Sequence, residues 1–306
     1  MSKLITVGNI YFDHTIFGVD LGGHNFIQTG FEYSAESGEI VVGGSAVNVA
    51  LQAVALGMDV SFVGKVGVDE SGKEVRRLLE EKNIEPHLII SPDDSTSIAV
   101  NFVIKDGADF VGAHYGMAAK NLSAEDFNLE TPLFSGGGLI YFGGIAKQEK
   151  LFNQLPELFS ALKSKGFTIF FDPNRFPAGK ENSSSDKIIN ALPYVDYYMP
   201  NETEIMQFAK CNSVDEAINF AISKGVKNVI VKTGPKGCIV RNNSVNQVIE
   251  GVKVTPITTV GAGDCFNAAF IYQIAKGSDS IAAAKFANKC ASIKVSQNIW
   301  PSLKNI

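Results

Sequence analysis

The stretch Thr258-Thr259-Val260-Gly261-Ala262-Gly263-Asp264-Cys265-Phe266 indicates an anion-binding turn that opens a helix. Gly261 and Gly263 have no Cβ atom, so the backbone can turn tightly and direct successive N–H groups to one point. The apolar pattern over 262–275 predicts a helix, and its N-terminus carries the positive end of the helix dipole, which favours phosphate. Asp264 falls in the first turn of this helix.

Asp264 has two interpretations. A carboxylate beside a phosphate hole repels the phosphate, which indicates a compensating task, such as orienting a hydroxyl nucleophile or accepting its proton during phosphoryl transfer. Alternatively, Asp264 caps the helix after a glycine-rich turn. Short glycine motifs recur by chance, so this stretch alone leaves both interpretations open.

Four further polar clusters each follow a predicted strand. They are Gly43-Gly44-Ser45-Ala46-Val47-Asn48 after 40–42, Asp172-Pro173-Asn174-Arg175 after 167–171, Asn201-Glu202-Thr203-Glu204 after 197–199, and Thr233-Gly234-Pro235-Lys236-Gly237 after 229–231. Open α/β sheets bind ligands just beyond the carboxyl ends of their strands. We therefore expect these clusters to line one cleft.

These five motifs, in this order and at these spacings, resemble the ribokinase-like, or PfkB, family of ATP-dependent carbohydrate and nucleoside kinases. The resemblance extends from Val7-Gly8-Asn9 and Asp13 to Phe286-Ala287-Asn288. It is specific for the family and only weakly specific for the substrate. It implies an α/β fold, the ribokinase-like three-layer α/β/α sandwich with a mainly parallel central sheet and a small β-strand lid.

The predicted elements agree with this fold. Strands alternate with helices over 3–91 and again over 138–224, with a helix expected over 149–165 and a strand over 195–199. This alternation predicts a parallel sheet covered by helices on both faces. The segments 10–42 and 95–116 show strand-like alternation and glycine turns without a helical period. The resemblance implies that they form the lid, over a major domain of residues 1–9, 43–94 and 117–306.

The lid segments carry nine aromatic side chains: Tyr11, Phe12, Phe17, Phe26, Phe31, Tyr33, Phe102, Phe110 and Tyr115. A four-stranded lid is too thin to bury all of them by itself. They are expected to pack against the major domain, to join two lids in a homodimer, or to stack on a nucleobase. His114 is more simply explained as a packing residue than as a substrate contact.

Composition restricts the partners and the compartment. The 306 residues are 45% hydrophobic, which is ample for a large α/β core. The net charge of -5 and the lack of a Lys/Arg run disfavour nucleic acid or an anionic membrane as the main partner. The four cysteines include no CxxC pair, which predicts reduced thiols in a cytoplasmic protein. The apolar run at 4–7 is too short for a signal sequence and predicts the first strand.

Phosphoryl transfer needs an oriented hydroxyl and charge neutralisation on the moving group. We expect Asp264 to be the catalytic base, and the amides of Gly261, Ala262 and Gly263 to stabilise the transferring group. The resemblance implies that ATP is the phosphoryl donor. Magnesium prefers oxygen ligands and keeps several waters, so Asn201 and Glu204 are expected to hold Mg²⁺ directly or through water. The same pair also fits an Asn variant of the capping box, and the two roles are compatible.

The sugar end of the cleft is expected to contain Asp13, Gly44 and Asn48. Asp13 accepts hydrogen bonds from vicinal hydroxyls, Asn48 donates and accepts, and Gly44 lets the sugar ring approach the backbone. Asn174 and Arg175 are expected to face the same cleft, with Arg175 on substrate or phosphate. A surface salt bridge is the alternative for Arg175.

The nucleotide end is expected to contain Thr233, Gly234 and Gly237 beneath the phosphates and ribose of ATP, with Asn288 at the border of the adenine. Lys232 is expected either to reach a phosphate or simply to be solvated.

Two departures from the family pattern bear on substrate and cofactor. Ser45 stands where ribokinases and relatives that act on phosphorylated sugars carry Lys, and no cation for a second phosphate is evident. We therefore expect an unphosphorylated sugar or sugar acid as acceptor. The alternatives are a nucleoside kinase, a phosphosugar kinase, or a catalytically silent regulator that binds sugar or nucleotide.

The second departure is Thr258, which replaces an Asp that helps several relatives to bind a monovalent cation. A cation that leaves water loses hydration energy, and a neutral hydroxyl compensates for this loss less well than a carboxylate does. We predict that turnover changes less than about threefold, roughly 0.65 kcal/mol, when potassium replaces a large inert cation at equal ionic strength. Steady-state rates at saturating Mg-ATP measure this, and strong activation by potassium would contradict it. Thr258→Asp should partly create the dependence.

Overall fold

The computed structural model describes residues 3–24, 27–105, 110–174 and 185–306. The strands in these residues are β1 (Leu4–Gly8), β2 (Tyr11–Val19), β3 (Ser37–Gly43), β4 (Val60–Gly67), β5 (Ile84–Ser91), β6 (Ile98–Ile104), β7 (Phe110–Tyr115), β8 (Gly138–Gly143), β9 (Phe167–Asp172), β10 (Tyr197–Tyr198), β11 (Asn228–Lys232), β12 (Gly237–Arg241) and β13 (Asn246–Glu250). The helices are α1 (Ser45–Ala55), α2 (Glu70–Glu81), α3 (Glu149–Asn153), α4 (Leu155–Ser164), α5 (Ser185–Ala191), α6 (Glu202–Ala209), α7 (Val214–Ser223), α8 (Ala262–Ala275) and α9 (Ser280–Gln297).

The strands form two sheets. The central sheet has nine strands in the order β13-β12-β11-β10-β9-β8-β1-β4-β5. From β11 to β5 all neighbours pair in parallel, and β12 and β13 add an antiparallel hairpin at one edge. The second sheet has four strands in the order β3-β2-β6-β7, drawn from the two segments that interrupt the strand and helix alternation. The predicted fold class is confirmed.

Strand β9 shows why helices cover both faces of the central sheet. Its sequence, FTIFFD, places at least one large apolar side chain on each side of the pleat. Phe167, Ile169 and Phe171 point into one core, shared with α4, α6 and α7. Phe170 points into the other core, shared with α1, α8 and α9. Because alternate side chains of a strand face opposite sides, such a strand needs apolar cover on both faces.

The strand order reverses at β1, which lies between β4 and β8. The chain adds β4 and β5 on one side of β1 and then adds β8 to β13 on the other side. A ligand cleft is expected beyond the carboxyl ends of the strands at such a point. There, Gly8 pairs with Gly143, and a Cβ atom on Gly8 would lie 1.9 Å from the Gly143 carbonyl oxygen. The two strand ends can therefore meet only because Gly8 has no side chain.

Some elements differ from the sequence expectations. The helix expected over 149–165 is two helices, because α3 ends at Asn153 and α4 begins at Leu155 with Pro156 in its first turn. Proline fits a first helical turn but lacks the N–H that a helix interior requires. The strand expected over 195–199 contains only Tyr197 and Tyr198. No helix in the described ranges is long and apolar enough to cross a membrane.

Asp196, which directly precedes β10, fixes this short strand through the hydrogen bonds of its carboxylate. Its carboxylate accepts hydrogen bonds from Lys163 at 2.6 Å, from Lys227 at 2.7 Å and from the Ile169 backbone N–H at 2.8 Å. Burial acts to raise the pKa of Asp196, but these donors outweigh it and the pKa lies below its ordinary value. The carboxylate therefore stabilises the fold above the unfolded-state pKa, and this contribution is lost as the pH falls through the folded pKa.

We predict that Asp196→Ala lowers the free energy of unfolding at pH 7 by about 1–3 kcal/mol, because three donors lose their acceptor. Urea denaturation measures this change. Asp215→Ala is the matched control, since Asp215 makes an exposed ion pair with Arg241, and it should cost less than about 1 kcal/mol. Equal losses in the two variants would contradict the prediction.

Candidate active site

Asp264 lies where helix α8 begins. Gly261 is the N-cap residue of α8 and has a φ of 75°, a left-handed conformation that glycine adopts without strain. Asp264 does not cap the helix. Its side chain turns towards α1, where Ser45 Oγ donates to Asp264 Oδ1 at 2.7 Å and Asn48 Nδ2 donates to Oδ2 at 2.8 Å. Both carboxylate oxygens are therefore held by one neighbouring helix.

The surroundings of Asp264 shift its proton affinity in two directions. Burial raises the pKa of Asp264, while the hydrogen bonds from Ser45 and Asn48 act to lower it. Nearby, Asp172 raises the pKa further and Lys232 lowers it, and the net pKa lies above the ordinary value. A carboxylate of this kind is more basic than an exposed one and is suited to accept a proton.

A chain of buried polar side chains lies behind Asp264. Tyr141 Oη is 3.4 Å from Ser45 Oγ and accepts a hydrogen bond from Asn267 Nδ2 at 3.2 Å. Asn267 Nδ2 also donates to Asp172 Oδ2 at 2.7 Å, and Lys232 Nζ pairs with the same carboxylate. Asp172 is fully buried, so this pairing supplies the compensation that a buried charge requires.

Lys232 connects this chain to the glycine turn and to Asn201. A Cβ atom on Gly263 would lie 3.7 Å from Lys232 Nζ. The backbone of Lys232 forms an isolated parallel bridge with Asn201. Lys232 is thus not simply solvated, because its ammonium group lies between Asp172 and the start of α8.

Asn201 and Glu204 form a capping box at the start of α6. Asn201 Oδ1 accepts from the Glu204 backbone N–H at 2.8 Å, and Glu204 Oε2 accepts from the Asn201 backbone N–H at 2.9 Å. The capping box that the sequence predicts for this pair is therefore confirmed. It does not conflict with a role in holding an ion, since each oxygen has two lone pairs.

The predicted sugar end contains unpaired hydrogen-bond acceptors. Within the described residues, Asp13 Oδ1 and Asn9 Oδ1 are buried and have no hydrogen-bond partner. Burial raises the pKa of Asp13 to about 7, although the positive charge of Lys147 acts to lower it. Unpaired buried acceptors are costly and uncommon in native proteins, so these two oxygens require donors from water or from a ligand.

Lys147 joins Asp13 at this end of the cleft. It follows β8 in the 3-10 turn Ile145–Lys147, and its Nζ lies 5.9 Å from the centroid of the Tyr11 ring. Burial lowers the pKa of Lys147, while Asp13 raises it. The His114 ring packs at 5.0 Å from the Tyr11 ring, and burial lowers the pKa of His114. Lys147 therefore lies close enough to Asp13 for their charges to interact, and His114 packs on the neighbouring Tyr11.

Gly44 and Asn174 shape the same end through the backbone. Gly44 has a φ of 114°, and a Cβ atom there would lie 2.5 Å from the Asn9 carbonyl oxygen. Asn174 has a φ of 58°, and its Oδ1 accepts a hydrogen bond from the Gly144 backbone N–H. Gly44 therefore lets the loop after β3 pass close to Asn9, and Asn174 joins the loop after β9 to the loop after β8. Arg175 lies outside the described residues.

The predicted nucleotide end is a tight turn between β11 and β12. The Thr233 backbone N–H donates to the Gly237 carbonyl at 2.9 Å, and Gly234 and Gly237 have φ values of 60° and 104°. Asn288 is not a free donor here, since its Nδ2 donates to the Ile249 and Glu250 carbonyls at 3.3 and 3.1 Å. Asn288 thus fastens α9 to β13, and its contact with adenine stays a prediction.

A match to a protein-family model shows which family this chain belongs to. The pfkB family carbohydrate kinase model matches residues 9–298. The chain belongs to the PfkB family.

Individual PfkB relatives are distant. A ribokinase from Haemophilus influenzae is 26% identical over 318 residues, covering 97% of this chain and 94% of that protein. A chloroplastic fructokinase-6 from Arabidopsis thaliana is 26% identical over 267 residues, covering 83% of this chain and 69% of that protein. The structure of an E. coli ribokinase II in complex with ATP and Mg²⁺ superposes with a TM-score of 0.80 at 24% identity, covering 97% and 94% of the two chains. This last similarity shows the fold alone.

A magnesium ion can be tested against the donors of this PfkB chain. No group of three His, Cys, Asp or Glu side chains placed to hold a metal occurs in the part of the chain that the structure describes. Mg²⁺ that arrives with ATP takes most of its ligands from phosphate oxygens and water, and so needs few from the protein. Asn201 and Glu204 offer side-chain oxygens near Lys232 and fit such a site.

Sequence reasoning missed two features of the site. Lys147 lies outside the recognised motifs, and only the turn after β8 brings it to Asp13. The segment between β13 and α8 also exposes apolar side chains, namely Val252, Val254, Ile257 and Val260. Exposed apolar groups of this kind are typical of surfaces that a ligand or a partner covers. The alternation of valine with polar residues over 252–254 is the signal that could have suggested it.

We predict that Ser45→Ala moves the acidic limb of the pH profile of kcat to higher pH. Asp264 accepts a proton only when it is ionised, and loss of the Ser45 donor raises its pKa, so turnover is lost at a higher pH. Ser61→Ala is the matched control, because Ser61 Oγ donates to the Glu85 carboxylate at 2.7 Å away from the site. An acidic limb that does not move in Ser45→Ala would contradict the prediction.

Proposed function

We propose that this PfkB chain is an ATP-dependent kinase that transfers the γ-phosphoryl group to a hydroxyl of a small unphosphorylated sugar or sugar acid. The observation that carries the proposal is the Asp264 carboxylate, held by Ser45 and Asn48 at the N-terminus of α8. A site that only bound phosphate would be weakened by a carboxylate there. A reaction that must remove a proton from a hydroxyl beside the phosphate needs one.

The roles follow from this arrangement. The acceptor oxygen attacks the γ-phosphorus, the bond between that phosphorus and the bridging oxygen of ADP breaks, and the acceptor proton passes to Asp264 Oδ. The amides of Gly261, Ala262 and Gly263 stabilise the charge of the transferring group. Asn48 holds Asp264 through its amide nitrogen and offers its carbonyl oxygen to the acceptor. Lys232 lies beneath Gly263 and neutralises Asp172, so that this buried carboxylate does not repel the transferring group.

Magnesium supplies charge neutralisation on the nucleotide phosphates when it is bound. Asn201 and Glu204 would hold it, directly or through water, while their capping box fixes the start of α6. Thr233, Gly234 and Gly237 would lie beneath the phosphates and ribose, and Asn288 would border the adenine. Arg175 would contact substrate or phosphate.

The acceptor class follows from the groups at the sugar end. Asp13 Oδ1 and Asn9 Oδ1 are two buried acceptors, which suit a ligand with several hydroxyl groups. Lys147 adds a cation, and His114 adds a donor near it. Within the proposed acceptors this favours a sugar acid, whose carboxylate Lys147 would neutralise. A thermal-shift screen over sugars, sugar acids and nucleosides, with and without a nonhydrolysable ATP analogue, identifies the class.

We expect Asp264→Asn to lower kcat by about 10²-fold to 10⁴-fold, the range for a positioned general base. ATP affinity should stay within a few-fold, because the backbone amides remain. A coupled assay of ADP release with the acceptor found in the screen measures kcat. Asp93→Asn, at an exposed position, is the control. Unchanged turnover in Asp264→Asn would remove Asp264 from the mechanism.

Asp13→Ala should instead raise the acceptor KM. An effect on ATP affinity alone would contradict the assignment of the sugar end and the nucleotide end of the cleft.

We infer a homodimer formed through the lid. Phe31 and Tyr115 are each 56% exposed and Ile40 is 53% exposed, which is more apolar lid surface than monomers usually show. Tyr11, in contrast, is buried and packs within the chain. The side chains of Phe26 and Phe110 lie outside the described part. Light scattering at micromolar concentration should give twice 32.9 kDa, and Ile40→Lys should weaken the assembly. A monomer at high micromolar concentration would contradict the inference.

We place the protein in the cytoplasm. Cys211, Cys238, Cys265 and Cys290 are all free thiols, and three of them are buried. Burial raises the pKa of Cys238 and Cys290 to about 12, so these thiols stay protonated and unreactive. Such cysteines are typical of a reducing compartment.

A further inference from the structure

A buried lysine, Lys294 on α9, lies behind the anion-binding turn. Lys294 is 7% exposed. A Cβ atom on Gly261 would lie 3.4 Å from Lys294 Cε and 3.0 Å from Trp300 Cη2. The backbone N–H groups of Ile257 and Thr258 both donate to the Val295 carbonyl, at 2.7 and 3.2 Å. The loop that enters α8 therefore rests directly on the part of α9 that carries Lys294.

The partners of Lys294 are all neutral. Its Nζ donates to Asn298 Oδ1 at 2.8 Å and lies 4.6 Å from the centroid of the Trp300 ring. In the ranges that the structure describes, no carboxylate lies within ion-pair distance of it. Lys232, on the other side of the same turn, differs because its charge is paired with Asp172. Of the two lysines that flank the glycines, Lys294 thus has only neutral groups and the C-terminal turn of α9 to balance its charge, whereas Lys232 has an ion-pair partner.

An uncompensated buried ammonium group is costly unless an anion or a polar group faces it. Burial lowers the pKa of Lys294, and the neighbouring Cys265 acts in the opposite direction. Trp300 and Asn298 supply only part of the compensation, by cation–π contact and one hydrogen bond. An anion at the amides of Gly261 and Gly263 would lie across a single layer of backbone from Lys294, where low dielectric strengthens the attraction.

We propose that the Lys294 ammonium is a fixed internal cation that stabilises the negative charge of the transferring phosphoryl group through the Gly261 turn. This proposal rests on the proposed phosphoryl transfer. Lys294 lies behind the Gly261 turn, so it would act on the phosphoryl group through the backbone and not by direct contact.

The test compares three variants of the full chain. Lys294→Met keeps the aliphatic packing on Trp300 and removes the charge, Lys294→Arg keeps the charge, and Lys285→Met removes an exposed lysine of the same helix as control. In buffer with tetramethylammonium as the only monovalent cation, Lys294→Met should lose at least tenfold in kcat, with the acceptor KM within twofold. Lys294→Arg and Lys285→Met should stay within threefold of the unmodified protein.

A rescue experiment separates charge from structure. In Lys294→Ala, potassium or ammonium ions should restore turnover at least fivefold over tetramethylammonium, because a cation can enter the vacated space, and the unmodified protein should show no such activation. Equal rates of Lys294→Ala in all three cations would overturn the proposal, as would turnover of Lys294→Met within twofold of the unmodified protein. If Lys294→Met does not fold, as judged by near-UV circular dichroism, Lys294→Arg decides: a loss beyond tenfold in that variant overturns the proposal.

A readout without turnover keeps this proposal distinct from the proposed function. Calorimetric titration with Mg-AMP-PNP and with Mg-ADP should show that Lys294→Met weakens AMP-PNP at least threefold more than ADP, since only AMP-PNP places a terminal phosphate group at the turn. If no acceptor is phosphorylated by the unmodified protein but this difference is found, the proposed function fails and the role of Lys294 in holding phosphate stands. Equal weakening of the two nucleotides would overturn it.

Discussion

The candidate site depends on two hydrogen bonds that cross from α1 to α8. Ser45 Oγ and Asn48 Nδ2 each donate to one oxygen of Asp264, so the carboxylate is fixed at a helix N-terminus where its own charge is unfavourable for phosphate. α1 and α8 also pack side by side in one core of the sandwich. The position of the reactive carboxylate is therefore set by the packing of the fold, with little freedom left to its own loop.

The groups around Asp264 balance charge across the sheet edge. Asp172, at the end of β9, brings a second carboxylate close to Asp264, and Lys232, at the end of β11, neutralises it. Ser45, Tyr141 and Asn267 connect the two carboxylates through hydrogen bonds in a region that is fully buried at Tyr141 and Asn267 and half-buried at Ser45. Such a network is stable only when each member is satisfied, and it holds the ends of three strands and two helices in one arrangement. The acceptor end is different, because Asp13 and Asn9 keep unpaired oxygens there.

Local patterns predicted most of the fold and the position of the site. The apolar strands, the glycine turns and the capping residues act over a few positions, so the sequence predicts the α/β sandwich, the start of α8 and the Asn201–Glu204 capping box. Ser45 and Asp264, in contrast, are 219 positions apart, and no local pattern indicates that they meet. Lys147 and Lys294 acquire their importance only from tertiary packing. In sequence, each is an ordinary lysine after a strand or within a helix.

The most direct test of the account is a crystal structure of the protein with Mg²⁺, a nonhydrolysable ATP analogue and the acceptor that the screen identifies. The account predicts that the terminal phosphate lies at the amides of Gly261–Gly263, with an acceptor hydroxyl within hydrogen-bond distance of Asp264 and further hydroxyls on Asp13. A terminal phosphate bound elsewhere, or an acceptor whose hydroxyls do not reach Asp264, would contradict it.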